Sequence, residues 1–351
     1  MKKLPFKRRE KNKGIPSRIT NETVAEHRER ILAGGRRFKY PMQYARHRLV
    51  FNTIIVTIVA LILITVLGWQ QLYIAQNTSS FFYRVTRVLP LPVASVDGES
   101  VRYSDYLMYF NSSAHYLQQS EQVNLQSEDG KRQLEWVKRK SMDNVIADGY
   151  AEKLARSLNI SVTDSQIDKV IDEDRNTANG RISQETYDAS ALSVLGWAPD
   201  EYRKDTKSKL IRQEVSYAID TPAKEKQTRA ATLLQPKDAD IDKVAIELGG
   251  DGSAKVTSGV SGLVPRANRD GGLSVAAAKL EAGQVSSAIK TTTGDGYYFV
   301  KLLEKNDTQV NYAFIKIPLT VFSHQLEKLK SDKKVHEYIS IPAVDNQKIN
   351  N

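Results

Sequence analysis

The sequence predicts an α+β protein in three parts: a single transmembrane helix near the N-terminus, a mainly helical lobe, and a small α/β domain beyond it. Three observations carry this. Residues 49–83 contain no charged side chain, and twelve of the seventeen residues from Phe51 to Leu67 are Leu, Ile, Val or Phe. Between about 103 and 220, apolar residues recur at helical spacing behind helix-start signals. From 297 to 317 the pattern changes to the alternation of strands.

The apolar stretch is long enough to cross a hydrocarbon core of about 30 Å as a helix, and we place the span at residues 49–72. Trp69 and Tyr73 fall where an aromatic belt sits. A buried core helix is the alternative, but this stretch is apolar on every face and flanked by Arg46 and Arg48. A cleaved signal fits poorly, because 48 residues precede the run and Tyr73-Ile74-Ala75 is no small-x-small cleavage site. Residues 1–48 hold 15 Lys/Arg against 4 Asp/Glu, whereas the rest of the chain is close to neutral. The positive-inside rule therefore puts this basic tail in the cytoplasm and residues 73–351 outside it. The tail is densest at Lys7-Arg8-Arg9 and Arg36-Arg37, and a short helix is expected over 20–33 with Thr20 or Asn21 as cap. It reads as a topology determinant. Contact with anionic lipid, at about 1 kcal/mol per basic residue, is a further candidate role, and no motif points to a specific nucleic acid. The absence of Cys excludes disulfides, thiol catalysis and zinc–thiolate sites.

Residues 73–92 read as a linker, polar at Asn77-Thr78-Ser79-Ser80 and interrupted by Pro90 and Pro92; Phe81, Phe82 and Tyr83 are expected at the membrane interface or packed on the next domain. Residues 93–101 read as a hairpin turning at Asp97-Gly98. A helix with Ser104 as cap comes next, its core face formed by Tyr103, Tyr106, Leu107, Phe110, Ala114 and Leu117. Further helices are expected over 131–158, over 164–176 behind the capping box Thr163-Asp164-Ser165-Gln166, from Ser183, and from Pro199 to about Asp220. The small domain, 222–304, should open on a strand at 230–234. A helix over 275–280 ending at Gly283 and strands over 285–289 and 297–303 should come after it. Beyond the domain, 310–317 alternates as a strand, and a helix from Pro318 to about Ile339 carries Leu319, Phe322, Leu326 and Leu329 on one face.

Several of these segments resemble the SurA and PrsA type extracytoplasmic foldases. The likeness begins with Val93-Ala94-Ser95-Val96-Asp97-Gly98-Glu99 followed by Tyr103-Ser104-Asp105-Tyr106-Leu107. It continues through Leu158-Asn159-Ile160-Ser161-Val162-Thr163-Asp164 to Leu195-Gly196-Trp197-Ala198-Pro199. Gly262-Leu263-Val264-Pro265-Arg266, Leu280-Glu281-Ala282-Gly283-Gln284-Val285 and Gly296-Tyr297-Tyr298-Phe299-Val300 are similar to the second half of a parvulin-type prolyl isomerase. The resemblance implies a SurA N-terminal-like lobe over 93–221, to which 308–340 returns, and a degenerate parvulin-like domain over 222–304.

Prolyl isomerisation must overcome an amide-resonance barrier of about 18–20 kcal/mol. Parvulins meet it with a histidine pair, a Cys or Asp, a hydroxyl, and a slot of Met and Phe. Of the five histidines here, none lies between residues 116 and 323. By the resemblance, Ala231 or Thr232 and Tyr298 stand where the histidines would, and Val260 or Ser261 at the acidic or thiol position. Arg269 stands at the Met, Leu273 and Ala278 at the Phe positions, and Thr291 or Thr292 keeps a hydroxyl. Tyr298 and Thr291 are thus weak catalytic candidates. Leu273, Val264 and Phe299 are candidate substrate contacts in the small domain, joined by Tyr109 and Tyr116, two turns apart on the first lobe helix. Asp172-Glu173-Asp174 reads as a solvated helix end, no metal site is expected, and no cofactor is implied. The expected function is a membrane-anchored extracytoplasmic chaperone or foldase that binds unfolded or newly exported polypeptides through apolar grooves. An active prolyl isomerase and an envelope structural adaptor are the alternatives.

Overall fold

The computed structural model describes residues 20–39, 41–177, 180–236, 238–291 and 293–342. Lys7-Arg8-Arg9 and Thr292 lie outside them. The chain forms two compact units, residues 1–71 and 72–351.

The first unit holds α1 (Asn21–Lys39), longer than the helix expected over 20–33, and α2 (Pro41–Trp69). The helical stretch His47–Ile74 is long and apolar enough to cross a membrane. At 28 residues it rises about 42 Å. Its Leu, Ile and Val side chains between 49 and 67 are all exposed.

The second unit begins with a helix where a linker was expected: α3 (Ser80–Val88). Its Phe82 and Tyr83 pack inward while Phe81 stays exposed. The hairpin comes next as β1 (Pro92–Val96) and β2 (Glu99–Arg102). Asp97 and Gly98 both take positive φ, 47° and 85°, which is the two-residue turn that matches strand twist. Helix α4 (Tyr103–Gln119) starts one residue before the expected cap; Ser104 is buried inside its first turn. Tyr103 is fully buried, and its hydroxyl donates to the Leu72 carbonyl at 2.7 Å. Helix α5 (Glu128–Ser157) crosses β2 at Gly149, where an added Cβ would come within 2.8 Å of the Val101 side chain. Then come α6 (Asp164–Asp174), opened by the full Thr163/Gln166 capping box, and the small ladder β3 (Asn176–Thr177) with β4 (Gly180–Arg181). Helices α7 (Gln184–Leu195) and α8 (Pro199–Ile219) complete this lobe.

Residues 230–233 are helical and Leu234 caps their helix, so no strand forms there. Asp220 caps and Pro222 opens α9 (Thr221–Leu233), and the Ala-rich segment continues it. After it come helix α10 (Ile241–Leu248), β5 (Thr257–Val260), β6 (Val264–Pro265), α11 (Leu273–Ala278), β7 (Ile289–Lys290), β8 (Gly296–Lys305) and β9 (Gln309–Pro318). The sheet order is β5-β9-β8-β7, with β6 also on β9, and every pairing is antiparallel. The expected end of the small domain at 304 therefore falls short: β9 is its middle strand rather than part of the return to the lobe. Alternation on β8 and β9 builds two cores. Tyr297, Phe299, Ala313, Ile315 and Ile317 face α9 and α10, whereas Tyr298, Val300, Leu302, Val310 and Tyr312 face α11.

The return to the lobe is made by α12 (Val321–Ser331) and β10 (Val335–Glu337), where one helix to 339 was expected. Phe322, Leu326 and Leu329 pack on the lobe core of Leu72, Val93, Tyr106, Met142 and Ile146. Strand β10 pairs with β1, Val335 opposite Val96.

Candidate functional site

The period of two along β8 decides what the expected substrate-binding residues can do together. Tyr298 joins Leu273 and, at its margin, Val264 on the α11 face, while Phe299 points to the opposite core. Phe299 instead floors an open groove of about 1030 Å³ between α9 and residues 281–288, shared with Ala231, Leu234 and Val285. Ala231 and Tyr298, expected at the two histidine positions, thus lie on opposite sides of the sheet. Arg269, expected in an apolar slot, is exposed and donates to the Asp174 carbonyl at 2.7 Å.

Thr291 and Tyr298 do converge, and what they converge on is Asp295. The Tyr298 hydroxyl donates to Asp295 Oδ2 at 2.7 Å; the Thr291 and Thr293 hydroxyls donate to Oδ1 at 2.8 and 2.7 Å. Lys316 on β9 pairs with Oδ2. Burial alone would raise the Asp295 pKa, but the hydrogen bonds from Lys316, Thr293, Tyr298 and Thr291 outweigh it and hold the carboxyl well below the usual range. Burial first, then the bond to Asp295, pushes the Tyr298 phenol above its ordinary value. Both hydroxyls are therefore spent on an anion, and neither is left to donate to a twisting amide.

This cluster has a pH signature. The folded-state pKa of Asp295 is depressed, so its stabilisation is present above the unfolded carboxylate pKa of about 3.9 and is lost as pH falls through the folded value. The site is partly solvated, so the contribution is of order 1 kcal/mol. Asp295→Asn should unfold earlier than wild type in denaturant at about pH 7, and the gap should narrow at about pH 3. An equal gap at both would mean the carboxylate charge contributes nothing.

In the lobe, Tyr109 is spent as well. Its hydroxyl donates to Asp148 Oδ2 at 2.9 Å, and Arg212 of α8 holds the other oxygen of the same carboxylate. Burial, then the charge of Asp148, raises the Tyr109 pKa. Tyr116 is 39% exposed and available as a surface contact.

A second cleft, of about 500 Å³, opens among α6, α7 and α8, with Val170, Tyr187, Ala191 and Leu195 on its walls. Trp197 and Asp205 also line it and are only 9% and 5% exposed. Lys209 takes Asp205 Oδ2 at 2.7 Å. Asp205 Oδ1 and the indole Nε1 of Trp197 have no hydrogen-bond partner among the described residues. An unsatisfied buried group costs about 1–3 kcal/mol. The sequence pointed to Trp197 only as part of the joint before Pro199, and no local signal marked Asp205 as buried.

The family model of the SurA-like N-terminal domain matches residues 42–216, which run from α2 to α8. No curated protein matches the chain. SurA-like domains bind unfolded polypeptides in general, and the match supports a SurA-like family and a chaperone or foldase type of role at that level.

Proposed function

We propose that this chain, SurA-like over residues 42–216, is a membrane-anchored chaperone that holds unfolded or newly exported polypeptides outside the cytoplasm. The observation that carries the reading is that the matched segment takes in α3 to α7 and nearly all of α8, and that this lobe has an open cleft in which Val170, Tyr187, Ala191 and Leu195 stand among charged side chains. Helix α2 supplies the anchor by length and composition, and the excess of Lys and Arg in residues 1–48 supports a cytoplasmic tail that touches anionic lipid.

The five-stranded sheet with its helices is, in this reading, a parvulin-like domain kept as scaffold rather than as an isomerase. Two facts support that. The hydroxyls of Tyr298 and Thr291 are committed to Asp295, and no histidine lies between residues 116 and 323. The groove floored by Phe299 remains an apolar surface for clients.

The test joins three readouts, one on intact cells and two on the purified chain. Protease added to intact cells should remove the region after residue 73 and spare the tail. The purified chain in nanodiscs should suppress aggregation of a chemically unfolded protein at near-stoichiometric ratio. It should not accelerate cis–trans exchange of short proline peptides. Unimpeded aggregation would defeat the chaperone reading. Robust isomerase activity, lost in Tyr298→Phe or Thr291→Ala, would establish the enzyme in its place.

A further inference from the structure

We propose that the outward face of α3 lies on the bilayer surface beside the anchor, so that the lobe is held against the membrane and does not swing on a tether. The proposal rests on the membrane-anchor reading and deepens it by naming a second contact with lipid.

Helix α3 is apolar on two sides. At 3.6 residues per turn, Phe82, Tyr83 and Thr86 share one side, and it faces the protein. Thr86 is buried, and Phe82 and Tyr83 pack on the lobe cores. Phe81, Val85 and Val88 share the other side, at the i, i+4, i+7 spacing of a stripe. This stripe is open: Phe81 is 66% exposed and Val88 81%, and Leu89 continues it past the helix end. Arg84 is exposed alongside, with no ion-pair partner among the described residues. Arg87, on the flank, pairs with Asp200 at 2.6 Å, and the Tyr83 hydroxyl donates to Glu201. These two bonds fix α3 to the start of α8, so its apolar stripe cannot roll inward.

Chain connectivity selects the occupant. Leu72, near the end of the apolar stretch His47–Ile74, already belongs to the lobe core. Ile74 and Ser80 are six residues apart, a reach of at most about 20 Å. The start of α3 therefore stays within that reach of the end of the anchor, where a bilayer presents its headgroups and, about 5–7 Å beneath them, its hydrocarbon. The composition of the face suits that boundary. Phe and Val sink to the acyl chains, while an Arg extends its stem along them and keeps its guanidinium at the phosphates. Anionic headgroups add attraction to Arg84. A client would cover the stripe only while bound, leaving it in water between visits. A second copy would meet it across one short helix, far less area than a stable dimer buries.

The chain has no Cys, so a dye attached through Val88→Cys or Leu63→Cys is unique. The full chain is placed in nanodiscs of phosphatidylcholine with a minority of phosphatidylglycerol. Nitroxide lipids serve as quenchers, labelled near the headgroup for position 88 and near the acyl end for position 63. Both dyes should be quenched. Phe81→Asp, at an exposed site, should lower the docked-to-free ratio reported at position 88 by about tenfold or more and leave position 63 unchanged. An unquenched dye at 88 with a quenched dye at 63 overturns the docking and leaves the anchor standing. Unquenched dyes at both positions overturn both. Undiminished quenching at 88 in Phe81→Asp would mean that nearness to the anchor suffices, and the docked face falls. A dye at 88 that is shielded only when a chemically unfolded protein is added gives the face to clients. One shielded only in discs carrying two copies gives it to a second copy. Either result overturns the lipid contact.

Discussion

Ending the chain after Lys305 is expected to abolish cooperative folding of the sheet domain, not merely to weaken it. Strand β9 lies between β5 and β8 and pairs with both, so its removal takes one whole side of hydrogen bonds from each. It also removes Val310, Ile315 and Ile317, which are fully buried, and Tyr312, nearly so. At roughly 1.5–3 kcal/mol per buried side chain, their loss alone is of order 8 kcal/mol, comparable with the whole stability of a small domain. Both cores are affected, because β9 alternates between the α9/α10 face and the α11 face. Hydrogen exchange on the 1–305 chain should find the amides of β8 unprotected. Ending the chain after Thr320 instead keeps the sheet together with Leu319, which packs on its core, and removes α12 and β10. There the loss should fall on the lobe, where Phe322, Leu326, Leu329 and Ile339 pack. Protection of β8 in the 1–305 chain would show that another strand can take the central place.

Asp220→Ala should cost about 2–4 kcal/mol and loosen the lobe and the sheet domain together. Asp220 is 1% exposed and carries two caps. Its Oδ1 accepts from the Ala223 amide at 2.9 Å, opening α9. Its Oδ2 accepts from the amides of Thr320 and Val321 at 2.6 and 3.0 Å, just where β9 hands over to α12. Removing the carboxylate leaves three amides without their acceptor, and each cap is worth about 0.5–2 kcal/mol. An anion at two helix N-termini is further favoured by their dipoles. Asp220→Asn keeps one oxygen and should recover part of the loss. Denaturant titration of wild type and the two variants decides: three equal midpoints would mean that water or relaxation satisfies those amides at no cost.

Asp220 shows where legibility ended. Asp220-Thr221-Pro222 marked the end of the Pro199 helix in the sequence, and the cap of α9 three residues on is a local event. The cap of α12, a hundred residues later, has no local sign. Phe299 teaches a different lesson. Strand alternation was visible in Tyr297-Tyr298-Phe299-Val300, and period two alone separates Phe299 from Tyr298, Leu273 and Val264. Asp295 went unremarked in the sequence, although it decides what Tyr298 and Thr291 can do.

By itself the sequence determined the elements whose causes span a few residues. These are a helix long and apolar enough for a membrane, a hairpin turning on Asp97-Gly98, the capping box at Thr163, the Pro199 helix start and the alternation of β8 and β9. Tertiary structure alone decided that β9 enters the middle of the sheet, that β10 closes on β1 across more than two hundred residues, and that Trp197 and Asp205 are buried in one cleft with an atom each unpaired. The physical reason is the same throughout. Local conformation is set by backbone sterics and nearby hydrogen bonds, which neighbouring residues specify. The choice of partner is set by which apolar faces and unpaired groups meet once the chain has closed its long loops.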